Sequence, residues 1–249
     1  MRLNQFLARG GLGSRRACEE LVRDGRVTIN GTKIIKLATQ VKPGDSVSVD
    51  GKRVHVEQSL TAAFHKPPGY LCSTIPEGGY KTIYDLLPRS WPRVFSIGRL
   101  DKDSEGLLLI TNDGELSQRL THPSYKLPKT YEVVVDRAFD FAHADKLKKG
   151  FMIEGGRGRF DAIYRLGPKA IKVVLTQGLK RQIRLMLESM GYKVKRLVRT
   201  RIGELALSDL PSGKHRILNE KEVERYFGDG ADRRGAGHTG VGHDDRSRS

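Results

Sequence analysis

The sequence predicts an α+β protein of two folded parts and a tail. Two helical stripes followed by two hairpin signals fill about residues 1–60. Longer apolar strands, Pro-Gly turns and scattered short helices then extend over 61–228. From 229 to 249 no periodic apolar residues occur, and acidic and basic residues balance. We therefore expect a small module, a larger domain and a disordered tail over 229–249.

The small module begins with two predicted helices. Leu3, Phe6 and Leu7 recur at helical spacing, and the glycine-rich run 10–13 then breaks the helix. Ser14 can cap a second helix, which we expect to bury one face and to expose a basic one. The expected buried face is Ala17, Cys18, Leu21 and Val22, and the expected basic face is Arg15, Arg16 and Arg23.

Two hairpins complete the module. Asn30-Gly31 and Asp50-Gly51 each follow a short alternating apolar segment, and both dipeptides favour the tight turn that joins antiparallel strands. The module therefore combines two helices with a small twisted sheet. It holds eleven basic and six acidic residues, a net charge of +5. Such a surface suits contacts with phosphate groups.

Composition excludes several classes of function. The net charge of +16 favours a polyanionic partner, nucleic acid before membrane. Cys18 and Cys72 lie too far apart, without nearby histidines, for a zinc site or a disulfide framework. The run 10–14 lacks the Lys-Ser/Thr ending of a nucleotide-binding loop, so ATP and GTP are not expected. No 18-residue apolar stretch occurs, and we expect a cytoplasmic protein.

Asp101 is the central candidate for chemistry. It lies on the connection that leads into the apolar run 107–110, which reads as a buried strand. Asp113-Gly114 then begins a helix whose Leu116 and Leu120 are one turn apart. From these residues alone, a carboxylate on such a connection is ordinarily a turn or cap acceptor.

The run Gly98–Leu109 resembles the catalytic signature of the pseudouridine synthases, in the branch that modifies ribosomal RNA and is named after its small-subunit member. Three further motifs follow the same order: Lys66-Pro67-Pro68-Gly69, Lys129-Thr130-Tyr131 and Gln182-Ile183-Arg184. The phrases at 14–17 and 25–31 resemble the RNA-binding module of the fourth small-subunit ribosomal protein. The resemblance covers about residues 1–225. It implies a catalytic domain with a mainly antiparallel mixed sheet and an active site in its central cleft.

The resemblance also implies roles for three residues. Asp101 would be the nucleophile that attacks the sugar or the base, or it would act as a base that deprotonates the sugar. Arg184, at the margin of a helical stripe, would form an ion pair with it, although a surface arginine is the alternative. Tyr131 shares a strand face with two valines, and from this position alone it would be a residue of the core. The resemblance implies instead that its ring stacks on the target base and that its hydroxyl removes the proton from carbon five.

RNA contacts are expected from basic residues around these motifs. Arg99 resembles the arginine that helps to displace the flipped nucleotide, and a basic strip follows from Lys180 to Arg201. Leu179-Lys180 stands where many members of that family have Arg-Asn. The further candidates for RNA binding are Lys66, Lys129, Lys180, Arg181, Arg15 and Arg16. No metal or organic cofactor is implied, since a carboxylate can supply the covalent step.

The expected function is isomerisation of a uridine in ribosomal RNA or in a ribosomal subunit precursor, by a monomer. The phrases at 112–116 and 121–123 resemble large-subunit members, which favours 23S over 16S RNA. The alternative is a non-catalytic RNA-binding factor for ribosome assembly. A methyltransferase is disfavoured because no Gly-x-Gly cofactor loop follows a strand.

Overall fold

The computed structural model describes residues 1–122 and 124–228. The tail expected to be disordered, 229–249, lies outside the described residues. Two helices open the chain, α1 (Leu3–Arg9) and α2 (Arg15–Arg23). The side-chain oxygen of Ser14 accepts a hydrogen bond from the backbone N–H of Ala17 (3.1 Å), which confirms the predicted cap. Ala17 itself is exposed, against expectation, because the buried stripe of α2 is centred on Cys18 and Val22.

Both hairpins of the small module are confirmed. Four strands form an antiparallel sheet in the order β2-β1-β3-β4. Asn30 and Gly31 have φ angles of 52° and 82°, and Asp50 and Gly51 have 49° and 77°, as the two turn positions require. The strands are β1 (Val27–Ile29), β2 (Thr32–Ile34), β3 (Val47–Val49) and β4 (Lys52–Arg53).

The larger part of the chain is built on one mixed sheet, mainly antiparallel as expected. Among the described residues it has nine strands, in the order β11-β12-β8-β13-β7-β5-β15, with β14 beside β13 and β6 beside β7. The pair β7–β13 is parallel, and the other neighbouring pairs of this sheet are antiparallel. Its strands are β5 (Thr61–Lys66), β6 (Phe95–Ile97), β7 (Glu105–Thr111), β8 (Lys129–Val135), β11 (Ala162–Gly167), β12 (Ala170–Leu175), β13 (Val194–Ile202), β14 (Leu205–Ala206) and β15 (His215–Leu218).

Short helices and one separate hairpin accompany the sheet. The hairpin consists of β9 (Phe151–Ile153) and β10 (Gly156–Gly158), and 3₁₀ turns cover Ile83–Leu86 and Phe141–His143. The remaining helices are α3 (Gly114–Thr121), α4 (Ala144–Lys149), α5 (Gln182–Glu188) and α6 (Glu220–Phe227). None of the helices in the described part of the chain is long and apolar enough to cross a membrane.

Two of these helices were predicted from the sequence. Asp113 caps α3 by accepting hydrogen bonds from the backbone N–H groups of Glu115 (2.9 Å) and Leu116 (3.2 Å). Helix α5 buries Ile183 and Met186 as the apolar spacing indicates. It begins only at Gln182, because Arg181 before it has a left-handed φ of 54°.

Strand register brings distant motifs into one row across the sheet. Lys66 pairs with Gly106, Gly106 with Arg199, Arg199 with Tyr131, and Tyr131 with Val173. Residues at paired positions project to the same face of a sheet. Lys66, Arg199 and Tyr131 therefore share one face, although more than 130 residues separate the first two in the sequence.

Gly106 makes the parallel pairing possible. It has a φ of 112°, and a Cβ there would lie 2.3 Å from the carbonyl oxygen of Arg199 and 2.5 Å from its nitrogen. Backbone atoms cannot yield as a flexible side chain would. Only glycine fits at this point of the row.

We expect Gly106→Ala to lower the free energy of unfolding by about 2–5 kcal/mol, the sum of a left-handed alanine and a backbone overlap. Gly213→Ala is the matched control, because Gly213 has a φ of 79° and open space around its missing Cβ. This control should cost only about 1–2 kcal/mol. Urea denaturation followed by circular dichroism measures both. Equal losses would contradict the steric argument.

Candidate active site

Asp101 lies half-buried on a turn that the main chain closes by itself. The backbone N–H of Ser104 donates to the carbonyl oxygen of Asp101 (3.0 Å). The carboxylate has no hydrogen bond or ion pair with any described residue. The alternative that this side chain serves as a turn or cap acceptor is therefore not supported. A half-buried carboxylate without a partner remains available for chemistry.

Lys66 holds this turn in place from beneath. Its side chain is 0% exposed, and its ammonium donates to the carbonyl oxygens of Pro67 (3.0 Å), Lys102 (3.1 Å) and Ser104 (2.8 Å). The carbonyl of Lys102 also accepts from the backbone N–H of Gly69 (2.8 Å). The expectation that Lys66 contacts RNA is wrong, because its three donors are committed to buried carbonyls.

The charge of Lys66 is electrostatically coupled to the loop. Burial lowers the pKa of its ammonium to about 8, while Cys72, Asp101 and Asp103 act in the opposite direction. Cys72 lies close to the same loop, since its sulfur accepts from the backbone N–H of Leu100 (3.5 Å). Burial raises the pKa of the Cys72 thiol, so this thiol is neutral at physiological pH.

Arg184 reaches the loop but does not form the expected ion pair. One guanidinium nitrogen donates to the carbonyl oxygen of Asp103 (3.0 Å) and to the hydroxyl of Ser104 (3.4 Å). Another donates to the carbonyl oxygen of Val194 (3.3 Å). No ion pair within 4.0 Å joins Arg184 and Asp101 in the described part of the chain. The prediction of a direct pair is wrong because backbone and hydroxyl acceptors use these donors.

Arg184 still interacts with Asp101 at longer range. Burial, followed by the nearby charge of Arg181, lowers the pKa of Arg184, and Asp101 and Asp103 partly oppose this shift. The guanidinium thus stabilises the loop through its backbone and contributes positive charge near the carboxylate.

Tyr131 is buried where the three motifs meet. Its side chain is 8% exposed, and it belongs to the same buried cluster as Leu100 and Ile183. Leu100 precedes Asp101 and Ile183 precedes Arg184 in the chain. The segments that carry Asp101, Tyr131 and Arg184 therefore pack against one shared core.

Arg199 is a residue of the site whose position the sequence did not reveal. It was one of many in the basic strip, yet it is only 3% exposed. Its Nε donates to the carbonyl oxygen of Leu107 (2.7 Å), and its buried Nη2 has no acceptor among the described residues. Only its pairing with Tyr131 and Gly106 reveals this position.

Lys129 is a half-buried cation close to the fully buried Arg199. Its ammonium donates to the carbonyl oxygen of Leu127 (3.0 Å). Burial, and then repulsion by Arg199, lowers the pKa of Lys129 to about 8. A side chain so enclosed differs from the surface lysine that a phosphate contact would require.

Gln182 fixes the loop before α5, another contribution that the motif alone did not reveal. It is 3% exposed; its amide nitrogen donates to the carbonyl oxygen of Arg159 (2.9 Å), and its oxygen accepts from the backbone N–H of Leu179 (3.2 Å). The neighbouring Lys180 and Arg181 are consequently presented on the surface.

The other basic candidates divide into exposed and enclosed ones. Arg99 and Arg16 are exposed, as an RNA contact requires. Arg15 is half-buried and lies against α3, since its Nη2 would be 2.9 Å from a Cβ at Gly114. It lines a cavity of about 240 Å³ between the small module and α3. Arg15 thus contributes to the contact between the two parts of the chain.

Comparisons with known proteins match both folded parts of the chain. A model of the RNA pseudouridylate synthase family matches residues 61–189, and an S4 domain model matches residues 1–47. A protein of Aquifex aeolicus (strain VF5) named "Uncharacterized RNA pseudouridine synthase" is 39% identical over 91% of this chain and 94% of its own. The "Dual-specificity RNA pseudouridine synthase RluF" of Escherichia coli (strain K12) is 37% identical over 91% and 78%.

A solved structure is also similar. The structure titled "Crystal structure of pseudouridylate synthase" aligns with a TM-score of 0.65 at 27% identity, over 90% of this chain and 98% of that one.

We expect Lys66→Met to loosen the loop while leaving the sheet intact, because three carbonyl oxygens lose a charged donor. Hydrogen exchange read by mass spectrometry should be at least about tenfold faster in segments 67–72 and 99–106, with β8 unchanged. Lys221→Met, an exposed change on α6, is the control and should alter neither. Unchanged exchange in both segments would refute the holding role of Lys66.

Proposed function

The chain belongs to the RNA pseudouridylate synthase family, and from that premise we propose that it isomerises a uridine of ribosomal RNA with Asp101 as the nucleophile. The observation that carries the residue assignment is the free carboxylate of Asp101 on a turn closed by the main chain. Lys66 and Arg184 anchor that turn, and both are positively charged. Because both cations bind the backbone and the Ser104 hydroxyl, the carboxylate itself stays available to every route of the reaction.

The reaction breaks the bond between C1′ of the ribose and N1 of uracil and forms a bond between C1′ and C5. Asp101 can bond to C1′, add to the base or remove a proton from the sugar, and it is regenerated at the end. The proton on C5 is lost and N1 gains one, so the product is an isomer of the substrate. Tyr131, at the centre of the site, would stack on the base and receive the C5 proton.

Exposed cations suit the handling of folded RNA. The target base must leave its stack, which costs a few kcal/mol. Arg99, an exposed residue two positions before Asp101, would occupy the space that the base leaves. Lys180, Arg181 and Arg16 would contact phosphate groups, and the basic module over 1–60 would position the RNA on the catalytic domain over 61–228.

We also propose 23S RNA, as such or in a subunit precursor, as the substrate of a cytoplasmic monomer. The support for 23S over 16S is the phrase at 112–116, which begins α3, together with 121–122 at the end of that helix. Because RluF is named a dual-specificity enzyme, a test must read every class of RNA.

We expect Asp101→Asn to abolish tritium release from uridine labelled at C5 in ribosomal RNA, because an amide cannot act as the nucleophile, while RNA affinity stays unchanged. Asp103→Asn makes the same charge change two residues away on an exposed side chain and should keep activity. Release of tritium by Asp101→Asn would exclude Asp101 as the nucleophile. A wild-type chain that binds ribosomal RNA without releasing tritium would support the non-catalytic assembly factor.

Loss of the gene should remove one pseudouridine from 23S RNA. Carbodiimide adducts that stop reverse transcriptase reveal pseudouridine throughout total RNA. The missing stop should return with the wild-type gene and not with Asp101→Asn. A stop missing only from 16S RNA or only from transfer RNA would contradict the proposed substrate.

A further inference from the structure

Arg199 lies in the row of paired residues across the large sheet, and its guanidinium has no role in the proposed reaction as described so far. Nη2 of Arg199 is buried without an acceptor among the described residues. Leaving a buried donor unsatisfied costs about 1–3 kcal/mol, more for a charged group. The pairing of Arg199 with Tyr131 puts the two residues at neighbouring positions on the same face of the sheet. The strand that carries this donor therefore adjoins the strand that carries the proposed platform for the base.

Lys129 adds a second positive charge at this position. It lies two residues before Tyr131 on β8, so the two side chains project to the same face. Lys129 and Arg199 are close enough for their charges to interact, and the acceptors of both are backbone carbonyls. No acidic side chain pairs with either cation in the described part of the molecule. Two enclosed cations without a counter-charge indicate a site for negative charge.

The depth of the site decides which part of the RNA can supply that charge. Arg199 is 97% buried, whereas Arg99, Lys180 and Arg181 are exposed. Backbone phosphates lie on the surface of RNA and meet the exposed cations first. A flipped base enters the protein, and a base on the proposed Tyr131 platform would lie beside the strand that carries Arg199.

We propose that Arg199, assisted by Lys129, forms an anion site that donates hydrogen bonds to the carbonyl oxygens of the target uracil as the base becomes negatively charged. This inference rests on the proposed function. When the C1′–N1 bond breaks, its electron pair stays on uracil and spreads from N1 to the carbonyl oxygens. When C5 attacks C1′, that charge is consumed and the carboxylate of Asp101 is released. Arg199 donates hydrogen bonds throughout and transfers no proton.

Placement on rigid strands makes such a site effective. The Nε of Arg199 is already fixed to the carbonyl of Leu107, and the backbone of Arg199 is in contact with Gly106. A donor that is oriented before the reaction needs no rearrangement as charge develops, and exclusion of water strengthens its effect.

The test compares uridine with 5-fluorouridine at the target position of the same RNA. Fluorine withdraws electrons, so the detached base carries its negative charge more easily and needs less help. Arg199→Met should slow single-turnover conversion of uridine by about 10²–10³-fold. The loss with 5-fluorouridine should be at least about tenfold smaller. Fluorine cannot leave C5 as a proton does, so the rearranged base keeps it and adds one water across the C6–N1 double bond. Conversion is read by liquid chromatography and mass spectrometry of the digested RNA, as an isomer of uridine or as a fluorinated product heavier by one water.

Two further variants separate the explanations. Arg199→Lys keeps the charge, and its activity should lie between those of the wild type and Arg199→Met. Arg225→Met removes an exposed arginine on α6, outside the basic strip, and should keep the wild-type rate with both substrates. The logarithm of the RNA affinity falls linearly with the logarithm of the salt concentration. Arg199→Met should leave the slope of this line unchanged, whereas loss of a phosphate contact would lower its magnitude by about 1.

The outcomes are distinct. An equal loss with both substrates overturns the anion site and leaves a structural role for Arg199. A lowered salt slope with an unchanged single-turnover rate overturns it in favour of a phosphate contact. If Arg199→Met does not fold, the same comparison is made with Arg199→Lys and with Lys129→Met. An equal loss of rate with uridine and with 5-fluorouridine in these variants would again overturn the anion site. Failure of the proposed function would appear separately, as a wild-type protein that converts neither nucleoside.

Discussion

The buried ammonium of Lys66 holds the turn that carries Asp101, and the remaining parts of the site are arranged around that turn. An ammonium has three donors, and the carbonyl oxygens of Pro67, Lys102 and Ser104 accept all three. Burial of a charge is unfavourable unless it is fully hydrogen-bonded. The match between donors and acceptors is therefore a condition for this conformation, in which the main chain closes the turn and the carboxylate stays free.

The sheet supplies the geometry that the turn needs. The parallel contact between β7 and β13 requires Gly106, and it aligns Arg199 with Lys66 on one side and Tyr131 on the other. Three segments from distant parts of the sequence thereby form one floor beneath the loop. Because β-strands project side chains alternately, a shift of one residue would remove this entire set from the site.

The positive charge of the chain serves separate purposes at different depths. Exposed cations, such as Arg99 and Arg181, can exchange water for phosphate at little cost and steer the RNA. Enclosed cations, such as Lys66 and Arg199, act on fixed groups where water does not screen them. Lys66 acts on the protein itself, whereas Arg199 is proposed to act on the base. The positive charge of the chain is therefore divided between an exposed part, proposed for RNA, and an enclosed part that the fold holds in position.

The sequence by itself determined the local structure: the cap at Ser14, the hairpins at Asn30-Gly31 and Asp50-Gly51, the apolar strand after Asp101 and the family. These features depend on hydrogen bonds and periodicities among neighbouring residues, which a sequence displays directly. Only the tertiary structure decided that Lys66 is buried, that Arg184 binds the loop backbone rather than the carboxylate, and that Arg199 is buried at the position paired with Tyr131. A long polar side chain binds the groups that strand register brings within its reach. That register is set by contacts between segments that are distant in the sequence.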